Sequence, residues 1–570
     1  MAETTAGAEF DVDVLIIGAG PVGMLGGILA SRHGLSSLVV ERRSGPQTAP
    51  AAHVVNGRTY EICRQAGLDM ERIHAAGKDP ADAGHVNFVT RLAGALIGRL
   101  PFERQGDSCL DFTPTPLRNL SQHRFEPILA DELHASDRAE LRYRQQWQHS
   151  EEVIDGVISD VVDLDSGETA QVRSRYVVGC DGASSRVRKM LGIEMAGPPL
   201  LQCYLMIHFA ANLRALTADR PGVLHFVLDP EAPGAFIAHD VESDWVFMHA
   251  IDPDLESAED YDDARCLAVV EGAAGTELSA EILGKGAWWM SAQTAESMGE
   301  GRVFLAGDAA HRFPPTGGLG LNSGMQDIHG LMWRLAAVCH AQASAELLSS
   351  YATERLPVAR NNAQQSLNNA IKMVALPAAL GTDVEPTTER MQASMADPTK
   401  AEEIAAAVEM QREHFDLFGL QLGYVYDEGA LVPEELVLAE PGSPSEYHPS
   451  GRPGARMPHA WLDEERSRST LDLVPVDRSV LISFGEHERW AEGIAGTNLA
   501  FIRVGVETPA LDAWRELCQI DDSGALLVRP DQHVAWRAVD VAQLSELPHA
   551  LAVVAGAGHG PRAAASVRSP

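Results

Sequence analysis

A strand, a glycine-rich turn, a helix and a second strand ending in an acidic residue open this chain. The segment "VDVLII" (12–17) predicts a buried strand, "GAGPVG" places Gly18, Gly20 and Gly23 in the turn, and "SSLVVER" carries Glu41. Glycines in such a turn let the backbone approach a pyrophosphate at the N-terminus of the following helix. Glu41 is placed to accept hydrogen bonds from a ribose. The pattern predicts a dinucleotide-binding βαβ unit; the alternative is the same unit without a nucleotide.

A second glycine-rich segment, "GRVFLAGDAAHRFPPTGGLGLNSGMQD" (301–327), breaks a hydrophobic run at Gly307 and Asp308. It then places a loop before a helix that is predicted over 325–340. A turn accounts for one glycine, but not for an acidic strand end followed by a loop with few side chains. The segment therefore predicts a large, flat ligand with one polar end lying against this backbone. The alternative is an ordinary loop after an acidic strand end.

The rest of the chain alternates between helix and strand patterns. Helices are predicted over 55–68 and 121–134, and a strand, a turn and a helix over 174–193. Alternating runs between 200 and 290, such as "GAFIAHD" and "DWVFMHAI", predict an antiparallel sheet. Three further regions are a mainly helical one over 343–420, a Pro-, Gly- and Ser-rich one over 432–458, and an α/β one over 459–570.

Charge and cysteine content exclude several classes of protein. With 80 acidic and 45 basic residues the net charge is −35, whereas nucleic acids and anionic membranes attract basic surfaces. Seven cysteines without a CxxC pair argue against a disulfide framework and for a reducing compartment. The polar N-terminus lacks a signal-peptide pattern and no long apolar run occurs, so a cytoplasmic protein without a membrane span is expected. The 21 histidines form no HExxH motif, so no metal site is predicted.

Three motifs together carry a family resemblance: "GAGPVG", "GCDGASSR" and "GRVFLAGDAAHRFPPTGGLGLN". In order and spacing they resemble the class A FAD-dependent aromatic hydroxylases of the p-hydroxybenzoate hydroxylase and phenol hydroxylase group. Within it the chain is most similar to chlorophenol monooxygenases and polyketide tailoring oxygenases. The likeness covers roughly residues 10 to 360, and a looser one extends to the C-terminus. It implies an α/β fold: a glutathione-reductase-type, Rossmann-like FAD-binding domain, an inserted antiparallel-sheet substrate domain and a C-terminal thioredoxin-like domain.

The resemblance also implies a division of the chain into five parts. These are a first FAD-binding part over 10–195, with 80–120 partly in the substrate domain, a substrate-binding sheet over 196–295, a second FAD-binding part over 296–360, a helical connector over 361–440, and a thioredoxin-like domain over 441–570. The last part lacks CxxC, so disulfide exchange is not expected of it. In the family it often lies near a subunit interface, which leaves monomer and homodimer open.

The resemblance assigns a set of residues to FAD. They are Gly18, Gly20, Gly23, Glu41, Arg42, Arg118, Gln122, Asp181, Asp308, Pro315, Gly318, Gly320, Leu321 and Asn322. Asp308 is expected to hydrogen-bond the ribityl chain, the loop after it to lie along the isoalloxazine ring, and the Asn322 region to meet the pyrimidine edge. Asp181 has a second interpretation as the cap of the next helix. For Gln122 and Arg118 the alternative is a solvated helix face, and for Arg42 an exposed strand end.

A histidine is the predicted catalytic residue. His53, in "AAHVVNGRTYE", lies where the phenol hydroxylases place an acidic residue. Imidazole titrates near neutral pH and can take a phenol proton; the alternative is a hydrogen-bonded structural histidine. Arg58 is expected to anchor the following helix or the flavin loop. Residues expected to contact substrate from the sheet, or else to pack within it, are His225, Phe236, His239 and Trp288.

The resemblance implies an NAD(P)H-dependent flavin monooxygenase. NADH or NADPH reduces bound FAD, dioxygen adds to the reduced ring, and the flavin hydroperoxide hydroxylates a phenolic or polyketide substrate. Three alternatives remain open: Baeyer–Villiger oxygenation or epoxidation of a polyketide, a flavin reductase that transfers no oxygen, and a scaffold whose terminal domain mediates assembly.

Overall fold

The computed structural model of the protein describes residues 10–434, 443–504 and 509–557. Parts of three sequence-based predictions lie outside these residues: the N-terminal segment before residue 10, the end of the predicted connector, and parts of the predicted terminal domain. Within the described ranges, no helix combines the length and the apolar character that crossing a bilayer requires.

A parallel sheet forms the centre of the first half of the fold. The strand Val12–Ile17 lies between Ser37–Glu41 and Thr169–Gly179, and Ala139–Tyr143 and Val303–Leu305 continue the sheet on either side. The strands are rich in β-branched residues and largely buried, as expected for a parallel sheet. Antiparallel strands that extend it are Gly299–Glu300, Gln145–Val153 and Gly156–Asp163. The predicted opening βαβ unit is present.

Two helices pack against this sheet and against each other, Pro21–Arg32 and Leu319–Cys339. Gly26 lies at their contact, where a Cβ would approach Ile328 Cγ1 to 2.9 Å. The second helix begins at Leu319 rather than at the predicted residue 325. Glycines in "GGLGLNSG" lower helix propensity, but burial of the first turns outweighs this cost.

The described residues contain further helices of varied length. They are Gly57–Gln65, Met70–Ala76, Pro80–Ala83, Gln122–His134, Arg186–Met190, Arg214–Thr217, Asp263–Ala274, Ser349–Lys372, Ala375–Leu380, Thr388–Ala396, Ala401–Glu409, Phe418–Gly423, His487–Gly493, Pro509–Cys518 and Leu547–Val554. The helix predicted over 55–68 begins only at Gly57, because Val54–Val55 pair as a short strand with Arg118–Asn119. The region over 343–420 is mainly helical, as predicted.

A seven-stranded sheet forms the second layer. Its order is Ala280–Met290, Gln202–Ala211, Asp244–Ile251, Gly234–Asp240, Leu224–Val227, His85–Val89 and Leu96–Pro101. Neighbouring strands run antiparallel as predicted, except that Leu224–Val227 is parallel to His85–Val89. One face packs on the helix Asp263–Ala274, and the other on helices between 375 and 409. A small sheet beside it consists of Met195–Ala196, Gln293–Ala295 and His311–Arg312.

The C-terminal unit is a four-stranded mixed sheet with helices. Its order is Ala500–Arg503, Val480–Ser483, Ala525–Val528 and Val534–Ala538. The first two strands are parallel and the other pairs antiparallel. Trp490 and Trp514 are fully buried in cores around this sheet.

Buried ion pairs connect this unit to helices that precede it in the chain, among them Leu319–Cys339 and Ser349–Lys372. Arg529 donates to both oxygens of Glu354, at 2.7 and 2.9 Å, and to Asp531 at 2.6 Å. Glu354 also accepts a hydrogen bond from Arg334 at 2.5 Å. Arg58 donates to the Asp531 carbonyl at 2.7 Å. All five side chains are almost completely buried, so Arg58 anchors its helix to the C-terminal unit.

Candidate active site

The first glycine turn is tightly packed on one side and open on the other. Gly18 has φ +102°, and a Cβ there would lie 2.4 Å from the Cys180 carbonyl oxygen; a Cβ on Gly23 would lie 1.9 Å from the Gly18 oxygen. A Cβ on Gly20 would meet no described atom within 4 Å. Gly20 precedes the helix Pro21–Arg32, which has no side-chain cap among the described residues. The turn therefore offers free backbone at a helix N-terminus, which suits a phosphate.

A polar network lies beside this turn. Glu41 accepts hydrogen bonds from the backbone N–H groups of Ala19 and Arg43, both at 2.9 Å. Burial opposes ionisation of Glu41, but the bonds from Arg43 and Ala19 outweigh it and lower its pKa. The Arg43 guanidinium donates to the Ala19 carbonyl at 3.3 Å and lies 3.6 Å from Glu126. Arg42 is exposed, as the alternative of an exposed strand end has it, and Arg43 borders the turn.

Gln122 begins the next helix and joins this network. Its side chain donates to Glu126 at 2.7 Å, and its backbone N–H donates to the Ala52 carbonyl at 2.8 Å. Arg118 is not part of that helix. It lies in the short strand paired with Val55, and its guanidinium bonds backbone carbonyls, among them that of Leu117 at 3.1 Å. The prediction of Arg118 on a polar helix is wrong, because a strand precedes Gln122.

Asp181 is occupied within the protein. Its carboxylate accepts hydrogen bonds from Ser185 Oγ at 2.5 Å and from the backbone N–H groups of Arg186 and Val187 at 2.6 and 3.1 Å. These bonds cap the helix that follows. The structure supports the capping interpretation of Asp181. The "GCDGASSR" motif contacts the turn at Gly18 through the backbone of Cys180.

Asp308 lies in the short 3-10 turn Gly307–Ala309, which follows the strand Val303–Leu305 and lies between the N-terminal ends of two helices. The preceding Gly307 has φ +64°, and a Cβ there would lie 3.2 Å from Val22 of the first helix and 3.7 Å from Gly324 of the second. The Asp308 carboxyl opens into the crevice between them and forms no hydrogen bond within the described residues. Displacement of water raises its pKa, whereas His311 lowers it. This side chain is available to a polar ligand.

The loop after Asp308 leads directly into a helix. Pro315 is exposed, and Gly318 adopts φ +62° with so little room that a Cβ would lie 2.7 Å from Val54 Cβ. The helix has no side-chain cap among the described residues, and a Cβ on Gly320 would meet no described atom within 4 Å. Leu321 is half-buried. Gly320 and Leu321 therefore form a first helical turn, whereas a loop was predicted.

The Asn322 side chain is bonded within the protein. Its amide nitrogen donates to the Val54 and Gly318 carbonyls at 2.9 and 2.6 Å. Its oxygen accepts from the Asn56 N–H at 2.9 Å and from Thr59 Oγ1 at 2.7 Å. Because the side chain is fully hydrogen-bonded, only the backbone of Asn322 is available to a ligand. The side chain holds the segment Val54–Asn56 against the start of the helix.

His53 lies between segments that border the crevice. Its neighbour Ala52 is bonded to Gln122, and its other neighbour Val54 contacts Gly318. The His53 ring stacks at 6.5 Å on Phe102 and meets another histidine ring from the seven-stranded sheet edge to face. The structure therefore brings the predicted catalytic histidine to the border between the two layers.

The hydrogen bonding of His53 defines which nitrogen is available. Nδ1 lies 3.2 Å from Asn119 Oδ1; because an amide oxygen only accepts, Nδ1 is assigned the proton and Nε2 the lone pair. Burial lowers the pKa of His53 to about 4, with the Asn119 bond opposing and Lys78 adding to this effect. His53 is thus a neutral acceptor at neutral pH.

The seven-stranded sheet places the four predicted substrate residues differently. His239 faces His53, with ring centroids 5.8 Å apart, and its Nδ1 lies 2.5 Å from Ser121 Oγ. Phe236 and His225 pack on Trp245 in the core of the opposite face, so their prediction as substrate contacts is wrong. Trp288 is half-buried at the sheet edge, against Tyr204 at 6.1 Å.

Two family models match this chain. One described as "FAD binding domain" matches residues 11–366, and one described as "Aromatic-ring hydroxylase, C-terminal" matches residues 450–558. The first alone covers more than half of the 570 residues. The chain belongs to the FAD-dependent aromatic-ring hydroxylases. The predicted family, its FAD cofactor and its hydroxylation of aromatic substrates are confirmed.

Known proteins resemble the hydroxylase over nearly its whole length. It is 30% identical to the 2,4-dichlorophenol 6-monooxygenase of Delftia acidovorans, over 93% of this chain and 95% of that protein. It is 32% identical to the tetracenomycin B2 monooxygenase-dioxygenase of Streptomyces olivaceus, over 93% of this chain and 95% of that protein. A solved structure of the flavin-dependent monooxygenase PieE with FAD and substrate is 31% identical, with a TM-score of 0.90 over 96% of this chain and 100% of that chain.

Several residues of the hydroxylase site were missed by sequence reasoning. Ser121 and Asn119 hold the two histidines, and their only sequence signal is their position beside Gln122. Glu103 is buried, adopts φ +50°, and accepts hydrogen bonds from the Leu417 N–H at 3.4 Å and Gln421 at 3.1 Å. Within the described ranges, no group of three or more His, Cys, Asp or Glu side chains is arranged to hold a metal ion.

Glu103 gives a prediction for the pH dependence of stability. Burial, with the charge of Asp416, raises the pKa of Glu103 to about 8, so the folded protein holds a proton that the unfolded chain loses above pH of about 4.3. Stability should therefore fall as pH rises to about 8, by on the order of 1 kcal/mol per pH unit. Glu103→Gln should remove this slope, which thermal unfolding at pH 5 to 9 measures. An unchanged slope in the variant would show that Glu103 is already ionised.

Proposed function

We propose that this hydroxylase inserts one oxygen atom from dioxygen into a phenolic ring, with NADH or NADPH as reductant. The observation that supports this most strongly is the position of His53, a neutral acceptor held between segments that contact Gln122 and Gly318. FAD, when bound, supplies the reduction and oxygen-transfer chemistry. The side chains around FAD bind and orient the substrate and accept its proton.

The residues present fit FAD at both of its ends. The open backbone at Gly20 and the uncapped helix after it suit the pyrophosphate, and Glu41 lies beside them. Asp308, which has no partner among the described residues, suits the ribityl hydroxyls. The uncapped helix N-terminus after Gly318 places a positive dipole end where the flavin ring is expected.

His53 Nε2 is proposed to accept a hydrogen bond from the phenol hydroxyl of the substrate. A phenol whose proton is drawn toward a base becomes a better carbon nucleophile at its ring. A pKa of about 4 makes His53 a weak base, so it holds the proton only briefly. His239, opposite it, is proposed to contact the same ring, and Trp288 and Tyr204 to limit its size.

The finer fold assignments are part of this proposal. The strand order of the C-terminal unit, with a parallel pair followed by two antiparallel strands, supports a thioredoxin-like fold without CxxC over 441–570. The parallel sheet over 10–195 and 296–360 supports a glutathione-reductase-type FAD domain, interrupted by the substrate sheet over 196–295 and followed by the connector over 361–440. Seven free cysteines support a cytoplasmic location, and the proposed oligomer is a homodimer.

A substrate panel tests the proposed reaction. FAD-loaded enzyme is given NADH or NADPH with chlorophenols, simple phenols and polycyclic phenols, and coenzyme oxidation, oxygen uptake and products are measured. We expect a ring-hydroxylated product in proportion to the oxygen consumed. A lactone or an epoxide would establish the alternative oxygenase chemistry, and coenzyme oxidation without any oxygenated product would establish a reductase.

His53→Ala tests the proposed acceptor. The variant should retain FAD but hydroxylate its phenol more slowly, by on the order of 10² at pH values below the phenol's pKa. Above that pKa the loss should shrink, because the substrate arrives already deprotonated. His149→Ala changes an exposed histidine of another strand and should leave the rate unchanged. An equal loss at every pH would reduce His53 to a packing residue.

A further inference from the structure

A buried carboxylate joins the segments around the turn that carries Asp308. Asp327, in the helix that follows the second glycine-rich segment, is completely buried. One of its oxygens accepts hydrogen bonds from His311 Nε2 at 2.6 Å and from the Gly307 N–H at 3.1 Å. The other oxygen accepts a hydrogen bond from Arg355 Nε, in a later helix, at 2.8 Å. A single side chain therefore holds three separate donors in place.

Two of these donors flank Asp308 in the chain. Gly307 immediately precedes Asp308 and His311 follows it by three residues, so Asp327 holds both ends of the turn. The Asp308 carboxyl forms no hydrogen bond of its own among the described residues, and its direction into the crevice depends on the backbone between these two anchors. The His311 ring also stacks on Phe313 at 4.7 Å, which extends the anchor into the following loop.

The charge of Asp327 suits this arrangement. Burial opposes its ionisation, but His311 and Arg355 outweigh burial and lower its pKa. Both oxygens of a carboxylate only accept hydrogen bonds, so one can bind a guanidinium while the other binds two further donors. An amide at this position would turn a donating nitrogen toward one of these donors, and part of the arrangement would be lost.

Arg355 connects this carboxylate to the C-terminal unit. Its Nη1 donates to the Tyr426 hydroxyl at 3.2 Å. The Tyr426 N–H donates to the Gly454 carbonyl at 3.0 Å, and the Gly454 N–H donates to the carbonyl of Val534 at 2.7 Å. Val534 begins the last strand of the C-terminal sheet. A series of direct contacts, each with a hydrogen bond, thus runs from that sheet to the turn at Asp308.

We propose that Asp327 is a positioning residue for FAD. It sets the direction in which the Asp308 carboxyl points, and the C-terminal unit holds it in place through Arg355 and Tyr426. This rests on the proposed contact between Asp308 and FAD. Because the turn is ordered when the protein folds, its ordering does not weaken cofactor binding, and the affinity for FAD rises. The C-terminal unit, which has no CxxC pair, thereby has a function in cofactor binding.

A matched pair of tyrosine variants separates positioning from stability. Tyr426→Phe removes an acceptor of Arg355, whereas Tyr447→Phe removes a buried hydroxyl that accepts from Arg456 at 3.0 Å and is not bonded to Asp327. Titration of apoprotein with FAD measures affinity, and thermal unfolding of the same apoprotein measures stability. Both variants should lose similar stability, but only Tyr426→Phe should weaken FAD binding, by roughly three- to tenfold. Equal FAD affinity in the two variants would overturn the connection to the C-terminal unit.

A double variant tests whether Asp327 acts through Asp308. Asp327→Asn should weaken FAD binding by roughly tenfold and change the visible circular dichroism of the bound flavin. In the Asp308→Ala background the same substitution should change affinity by less than about twofold, because no carboxyl remains to be positioned. Additive losses, or wild-type affinity in Asp327→Asn, would overturn the positioning role alone. Full affinity in Asp308→Ala would overturn the proposed contact with FAD and the positioning role with it. If Asp327→Asn does not fold, the tyrosine pair decides.

Discussion

Asp308→Ala is expected to weaken FAD binding by roughly 10 to 100-fold, the effect of losing a hydrogen bond to a charged group. The carboxyl opens into the crevice and is unused within the described residues, so the substitution removes a ligand contact without breaking a bond inside the protein. Purified variant should contain little flavin. Titration of apoprotein with FAD, followed by quenching of flavin fluorescence, measures the loss.

Two comparisons sharpen this experiment. Asp308→Asn keeps the size and an acceptor oxygen but removes the charge, and should bind FAD with intermediate affinity. Asp165→Ala removes an acid from an exposed turn and should bind FAD like the wild type. Full affinity in Asp308→Ala would place the ribityl chain elsewhere and remove the proposed role of this carboxyl group.

Glu354→Ala is expected to destabilise the protein by about 3–5 kcal/mol, because it leaves buried charges without a counter-ion. Glu354 accepts hydrogen bonds from the side chains of Arg334 and Arg529 and from the Ala430 N–H. The side chains of Glu354 and of both arginines are at most 2% exposed. Burial opposes ionisation of Glu354, but Arg334 and Arg529 outweigh it and lower its pKa. Thermal unfolding measures the effect.

The control for Glu354 is an ion pair on the surface. Glu140 pairs with Arg142, and their side chains are 59% and 48% exposed, so Glu140→Ala should change stability by less than about 1 kcal/mol. Because Arg529 belongs to the C-terminal unit, the Glu354 variant should also loosen that unit, which limited proteolysis detects. Equal stability of the two variants would show that the buried pair does not join the units.

Local features of the sequence were sufficient for the FAD side of the fold. Short apolar strands, glycine turns and an acidic strand end have fixed local geometries, so the βαβ unit at Gly18 to Glu41 and the break after the strand that precedes Asp308 could be predicted. The start of the helix at Leu319 could not, because glycines there argue against a helix and only burial against the first helix and the sheet supports it.

Features that depend on distant partners were not predictable. Arg58 is 474 positions from Gln532, its hydrogen-bond acceptor, and His123 is bonded to Asp244 on a different layer. The sheet gave a related error: Phe236 and His239 are three positions apart on one strand, so they face opposite sides of the sheet, and only His239 lies near His53. Alternation predicts that faces differ, but not which face meets the FAD domain.

The origin of the oxygen in the product tests the account most directly. FAD-loaded enzyme is supplied with NADH or NADPH, a phenol that it converts, and isotopically labelled dioxygen in unlabelled water, and the product is analysed by mass spectrometry. The account predicts one labelled oxygen atom attached to an aromatic ring carbon. Product oxygen that comes from water, or labelled hydrogen peroxide with an unchanged phenol, would contradict it.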